Sequence, residues 1–394
     1  MEHSRYESRG VSSDKKEVHQ AIRHLDQGLF KNTFCKILPD PFSGNPDDTI
    51  ILHADTAGTK TILAYLYWKE TGDASIWKGI AQDALVMNID DMACSGAVGP
   101  YVISNTILRN KKLIPSEILE AIIQGTVEFV SRMKEYNIIM HHAGGETADV
   151  GDVVRTADVG FTVYTQLKKH HVFENHIQPG DYVLGLGSYG QTTYESEYNS
   201  GIGCNGLTSA RHDVLSKYYS QHYPETYDQA IESAYVYSGN HKMTDSYISG
   251  DSAYVIGKLL LSPTRTFLPL LHQVFAAYKG AGIHGIIHNT GGAHSKVLKF
   301  SDQVKIIKDN LFPPPPIFQL IAQSSGASQE EMYKVFNMGT RLEIYGLKEE
   351  LTRIAEIANT LNIPHRMIGK VIENKGKNST VEMTVNHATW HYSL

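Results

Sequence analysis

The chain has 394 residues, 41% of them hydrophobic and 20% charged, with a formal net charge of −6. That length allows two substantial domains, and the composition is ordinary for a soluble globular protein. The acidic balance argues against non-specific nucleic-acid binding, which needs a basic surface, and no apolar run reaches the ~18 residues of a membrane span. Cys35, Cys94 and Cys204 lie far apart, with neither a disulfide framework nor zinc-ligand spacing. A cytoplasmic location is therefore expected, and nothing at Met1 to Arg5 opens a signal peptide.

In chain order, residues 14–27 have the pattern of a helix capped by Ser12 or Ser13. A turn-rich stretch over 39–48 then leads into the run Thr49-Ile50-Ile51-Leu52, which predicts a buried strand. The strand breaks at Asp55-Thr56-Ala57-Gly58-Thr59-Lys60. Small residues there let backbone N–H groups approach an anion, Asp55 is a candidate cation ligand and Lys60 a candidate phosphate partner. A surface turn with a solvated Asp and Lys fits the same residues.

Helices are predicted over 62–70, ended by Gly72, and over 75–95, with Ile76, Ile80, Ala84, Met87 and Met92 at approximate helical spacing. The second closes on Asp90-Asp91, a pair that opposes the helix dipole unless a cation or solvent relieves it. A strand is expected over 101–108, an amphipathic helix over 115–136 with Pro115 in its first turn, and a short strand over 138–140. The last runs into Gly144-Gly145-Glu146-Thr147, again a permissive backbone beside a carboxylate. A strand over 156–164 follows, and a domain boundary is placed in 166–180.

The second half opens with a strand over 182–186 and the turn Gly187-Ser188-Tyr189-Gly190. A polar stretch, 191–203, precedes Asn205-Gly206 and a helix from Leu207. Helices are predicted over 269–279, 329–336 and 348–361, and strands over 283–287, 341–345, 367–373 and 380–385. Between them lie the turn His288-Asn289-Thr290-Gly291-Gly292 and the rigid connector 313–316. Strands alternating with helices predict an α/β (α+β) fold of two domains, 1–168 and 169–394.

These motifs, in this order, resemble the aminoimidazole ribonucleotide synthetase (phosphoribosylformylglycinamidine cyclo-ligase) family. The resemblance runs from Asp55 to Lys60, through Asp91 with Gly96-Ala97-Val98-Gly99-Pro100, to Gly144 to Ala148. It continues through Asn205-Gly206, Leu261-Ser262-Pro263-Thr264-Arg265, the turn from His288, and Met332 to Gly339. The first-half motifs are shared with selenophosphate synthetase, thiamine-monophosphate kinase, the hydrogenase-maturation dehydratase and formylglycinamide ribonucleotide amidotransferase.

The resemblance implies an N-terminal ATP-binding domain that pairs with its copy into a shared β-barrel, and a ferredoxin-like α/β C-terminal domain that holds the substrate. It implies ATP-dependent closure of formylglycinamidine ribonucleotide to aminoimidazole ribonucleotide, ADP and phosphate in purine biosynthesis. ATP would phosphorylate the formamide oxygen, a reaction that needs positioning and charge neutralisation more than a protein nucleophile. Asp55, Asp91 and Glu146 would hold Mg²⁺ and Lys60 would meet the phosphates, these four forming the catalytic set. Gly58, Thr59, Gly144, Gly145 and Thr147 would complete the ATP site. Ser188, Gly190, Asn205, Gly206, Thr290, Gly291 and Gly292 would contact the substrate, and a homodimer would form through residues 1–165.

Two departures stand out. The family's Gly-Pro-His-Ser-Asn-Gly is replaced by the insertion between Gly190 and Asn205, and the Asn before the second acid is Asp90. The insertion reads either as a lid over the cleft, with Tyr194, Glu195 or Glu197 taking over the histidine's contacts, or as a passive surface loop. The alternatives are a selenophosphate synthetase-like phosphotransferase, for which Cys35 is the one candidate reactive thiol, and a nucleotide-binding member without turnover.

Overall fold

The computed structural model describes residues 8–10, 20–21, 24–278, 281–376 and 378–393. The helix expected over 14–27 falls largely outside this set, as does the last residue of the one expected over 269–279.

The first half builds one five-stranded sheet. Its strands are β1 (Leu38–Pro39), β2 (Asp48–Thr56), β3 (Tyr101–Arg109), β4 (Met140–Asp149) and β5 (Ala157–Lys168), in the order β1-β2-β5-β3-β4. Three helices accompany it: α1 (Lys60–Thr71), α2 (Trp77–Ala93) and α3 (Ser116–Glu135). Gly72 ends α1 in the left-handed region, its N–H bonded to the Trp68 carbonyl, a stop that glycine makes without a Cβ penalty. Along β3 burial alternates, with Tyr101, Ile103 and Ile107 inward and Val102 and Thr106 outward, the two-residue period of a half-buried strand. The inward face packs on α2, which contacts both β2 and β5. The outward face leaves Leu52 61% and Val102 40% exposed.

The second half builds a seven-stranded sheet from β6 (Tyr182–Gly187), β9 (Ile283–His288), β10 (Val304–Lys308), β11 (Thr340–Gly346), β12 (His365–Glu373), β13 (Thr380–Val385) and β14 (Ala388–Ser393). Their order is β14-β13-β10-β12-β6-β11-β9. A separate hairpin joins β7 (Ser246–Ser249) to β8 (Ser252–Val255). The helices are α4 (Leu207–Val214), α5 (Tyr218–His222), α6 (Ile256–Leu261), α7 (Leu268–Ala277), α8 (Pro316–Ser325), α9 (Gln329–Val335) and α10 (Lys348–Thr360). Every residue of β11 is buried; its edges are paired by β6 and β9, and α10 packs against it.

Two expectations are corrected. The Gly144-Gly145-Glu146 stretch is no turn after a short strand; it lies inside the ten-residue edge strand β4. Parallel pairing with β3 carries the extended backbone through it, Asn105 opposite Gly145 and Thr106 opposite Glu146. A register shift faces Gly144, which has φ +90°, and a Cβ on Gly145 would overlap the Asn105 side chain. The glycines serve a bulge and a close strand approach.

The 191–203 insertion is likewise no passive surface loop, since much of it is built into the second domain. Tyr194, Asn199, Ser200 and Ile202 are buried, and the Tyr194 hydroxyl donates to the Thr266 carbonyl at 2.8 Å. Arg265 grips Glu195 with two nitrogens, at 3.0 and 2.5 Å. The Asn199 side-chain amide donates to Glu195 and to the Pro263 carbonyl. Its polar side chains satisfy buried partners, which composition alone does not distinguish from exposure to water.

Candidate active site between the two domains

Helix α2 carries the joint between the halves. Asp83, Met87, Asp90 and Asp91 fall at i, i+4, i+7 and i+8, one stripe of a helix, and all four meet the second domain. Asp83 accepts from the Thr264 N–H at 2.7 Å and from its hydroxyl at 2.6 Å. Met87 Sδ lies 3.4 Å from Arg341 Nη2. Asp90 accepts from the Thr266 hydroxyl at 2.5 Å and the Phe267 N–H at 2.9 Å. His288 Nδ1, at the end of β9, donates to Asp91 at 2.7 Å. The spacing of the three acids was legible in the sequence; their partners, 176 to 197 residues away, were not.

Electrostatics separates the adjacent acids. Burial pushes Asp90 up to about 7, against the pull of its two hydrogen bonds and Arg341. Burial would raise Asp91 too, but Lys296, His288 and His53 outweigh it and hold that carboxyl below its ordinary value. His288 is wholly buried, and burial with the nearby Arg341 pulls it down to about 4. Its Nε2 has no hydrogen-bond partner among the described residues.

His53 on β2 approaches Asp91 at 4.0 Å and hydrogen-bonds Asn88 at 2.9 Å. The odd-numbered residues of β2 therefore face α2, and Asp55 shares that face, roughly 7 Å further along the strand. His53, His288 and Lys296 are cleft residues that the sequence reading left without a role.

Lys60 is placed differently from expectation. Its ammonium group turns inward, bonding Asp83 at 2.8 Å and the Ser262 carbonyl at 2.6 Å, with no exposed surface. A lysine so committed ties the two domains together. Nor do Asp55, Asp91 and Glu146 form one cluster. Asp55 lies opposite Phe161, Phe161 opposite Asn105 and Asn105 opposite Gly145. Three strand spacings, about 14 Å, thus separate Asp55 from the region of Glu146. Among the described residues no group of three or more His, Cys, Asp or Glu is arranged to hold a metal ion.

Several expected substrate-side residues do meet. Thr59, at the start of α1, hydrogen-bonds Thr208 of α4 at 2.7 Å, which sets the Gly58-Thr59 loop against the Asn205-Gly206 turn. Gly291 lies beside the Asn205 side chain, and the Thr290 hydroxyl receives the Lys296 ammonium. Gly206 and Gly292 cap the segments after them in the left-handed region. Ser188 is engaged within the second domain, donating to Asn337 at 3.0 Å, and the Gly190 N–H is bonded to the Asn199 carbonyl. Gly144, Gly145, Glu146 and Thr147 sit on the exposed edge strand, away from this contact. Cys35 is 5% exposed and burial raises its thiol well above the ordinary value, the reverse of a reactive cysteine.

Fold and cleft define a class, an α/β protein in which an acid-bearing helix of one domain closes on a histidine-bearing turn of the other. Residues 37–166 match the family profile described as AIR synthase related protein, N-terminal domain. A phosphoribosylformylglycinamidine cyclo-ligase of Saccharolobus solfataricus is 30% identical over 371 residues, 89% of this chain and 93% of that protein. One of Methanocaldococcus jannaschii is 28% identical over 330 residues, 83% of this chain and 79% of that protein. The chain belongs to the phosphoribosylformylglycinamidine cyclo-ligase family.

Solved structures share the fold at lower identity. T. maritima PurL complexed with FGAR gives a TM-score of 0.54 at 13% identity over 96% of this chain. The chain spans 49% of the length of that protein. AaThiL complexed with AMPPCP and TMP gives 0.51 at 12%, covering 96% of this chain and 95% of that one.

Proposed function

We propose that the chain is a ligase that uses ATP to close the imidazole ring of formylglycinamidine ribonucleotide, yielding aminoimidazole ribonucleotide, ADP and phosphate in de novo purine biosynthesis. The observation that carries this reading is the kinship with a named cyclo-ligase over nearly the whole of both chains. ATP supplies the phosphoryl group that turns the formamide oxygen into a leaving group. A substrate nitrogen then attacks that carbon, and phosphate and a proton depart. The cleft suits such chemistry: it is walled by two domains, and several of its polar groups, Asp90, Asp91 and Thr290 among them, are already held by hydrogen bonds, which limits reorganisation at the moment of reaction.

In this reading Asp55, Gly58 and Thr59 meet the nucleotide, while Asn205, Gly206 and Thr290 to Gly292 face the ribonucleotide. His288, fixed by Asp91, brings to the cleft a histidine that the replaced motif does not. Mg²⁺ is usually held by one or two carboxylates plus substrate phosphates, a role open to Asp55 or Asp91 without a three-acid cluster.

The domains divide at 168, since β5 ends the first sheet at Lys168 and β6 opens the second at Tyr182. The alternation of strands and helices in the second domain supports the ferredoxin-like description. A homodimer closes the exposed sheet face into a barrel shared by two chains, and sets Gly144 to Thr147 of the edge strand against the neighbouring copy's nucleotide. Three free thiols suit a reducing cytoplasm, and no helix among the described residues is long and apolar enough to cross a membrane.

The test is direct. Purified protein with both substrates should release ADP and an imidazole product in equal amounts. ADP release without ring product, or dependence on a selenium donor, would replace this reading with the phosphotransferase one.

A further inference from the structure

Arg341 is 1% exposed, yet it forms no ion pair among the described residues. Its one hydrogen bond there is the weak contact of Nη2 with Met87 Sδ at 3.4 Å, and its Nε has no partner. A guanidinium offers five N–H donors and stays charged in proteins, so burying it this way is costly. Asp83, Asp90 and Asp91 attract the guanidinium through space, but none hydrogen-bonds it among the described residues: Asp83 bonds Lys60 and Thr264 through Oδ1 alone, Asp90 bonds Thr266 and Phe267, and Asp91 bonds His288.

The backbone around Arg341 is arranged for this side chain. The register of β11 against β6 shifts between Thr340 and Leu342, a bulge that re-aims the residue between them. Gly203, at φ +66°, lies so close to Nη1 that a Cβ there would overlap the guanidinium. That loop leads into Asn205, whose buried Oδ1 also has no partner among the described residues, and His288 Nε2 is a third such atom in the same cleft. A second cation, Lys296, lies over the Phe34 ring at 4.3 Å, beside Thr290, and makes no ion pair among the described residues.

We infer that Arg341, with Lys296, on the other side of His288 and Asp91, as a second cation, is the oxyanion-holding group of the interdomain cleft and binds the phosphate oxygens of a reactant. Phosphate oxygens match the fork of a guanidinium. Two sources share that chemistry, the 5′-phosphate of the ribonucleotide and the terminal phosphoryl group of ATP. The inference rests on the proposed reaction for the identity of its reactants, but not for the anion site itself.

The experiment compares the full-length wild type with Arg341→Met, a substitution that removes charge while keeping a long side chain beside Met87. Inorganic phosphate should raise the melting temperature of the wild type and inhibit its turnover. Competition against the ribonucleotide assigns the site to the 5′-phosphate, competition against ATP to the terminal phosphoryl group. Arg341→Met should lose the phosphate-induced shift and raise KM for the matching reactant roughly 10- to 100-fold, the worth of one charge-assisted pair, leaving KM for the other within about twofold. Its melting temperature without ligand should be no lower than wild type, because an unpaired buried charge has been removed.

A variant that retains the phosphate shift overturns the inference, as does one that melts lower while phosphate neither stabilises nor inhibits the wild type. If Arg341→Met fails to fold, the wild-type titration decides: stabilisation with competitive inhibition supports the site, and no response to phosphate overturns it. The thermal shift requires no turnover. Loss of that shift in the variant, in a protein making no imidazole product, would therefore sink the proposed function and leave the anion site standing.

Discussion

Lys60 and Asp83 form a wholly buried ion pair that also bonds Ser262 and Thr264, joining α1 and α2 to the segment before α7. Removing one partner of such a pair leaves the other charged and desolvated. Lys60→Gln should therefore cost about 3–5 kcal/mol of stability by urea denaturation, with KM for ATP little changed at a temperature where the variant is folded. A raised KM at unaltered stability would return Lys60 to the phosphates. Glu343 makes a second case. It accepts from Lys308 at 2.7 and 2.8 Å, with His294 and Tyr345 beside it, all buried. Burial would raise its carboxyl, but Lys308 and His294 outweigh that and hold it well below its ordinary 4.5. A depressed acid stabilises the fold above its unfolded pKa, and the contribution is lost as pH falls. Stability should thus decline below pH 4.5. Glu343→Gln should be about 3–5 kcal/mol weaker near neutrality, with a flatter acid limb; an acid profile identical to wild type would refute the assignment.

Helix α2 shows how one element serves two purposes. Its apolar faces pack on β2, β5 and α3, while the 83-87-90-91 stripe reaches into the second domain. The 191–203 insertion buttresses the same joint, because Arg265, which it holds through Glu195, follows the Thr264 that bonds Asp83. Glu195→Ala strands a buried guanidinium and should cost about 3–5 kcal/mol, read as a drop in melting temperature with both KM values altered together. A change confined to KM for the ribonucleotide, with no loss of stability, would favour the lid.

At the scale of the whole molecule, the first-half sheet leaves exposed the face opposite α2. Leu52 and Val102 stand out from it, and antiparallel sheets commonly solvate one face only when that face is polar. Exposed apolar patches of this kind mark interaction surfaces. In the proposed homodimer Leu52→Asp should weaken association by roughly 100-fold, the scale of losing an apolar anchor, and the variant should sediment as a monomer at micromolar concentration. A wild type that is itself monomeric there would remove the shared barrel.

What the sequence determined was local. Hydrophobic spacing of two or of about 3.6 residues marked β2, β3, α1, α2 and α3 near their observed bounds, because each residue's face follows from its own backbone period. The carboxylates and glycines of the site could be picked out for the same reason: their residue types are rare choices in those local patterns. What only the tertiary structure decided was where those groups point. Lys60 sits beside the phosphate-type loop, yet its partner Asp83 is 23 residues on. Gly144 and Gly145 read as a turn until β3 pairs alongside them. The insertion looked solvated because its buried partners come from 259 to 266. Burial, ion pairing and strand register are relations between segments distant in sequence, and a local pattern does not contain them.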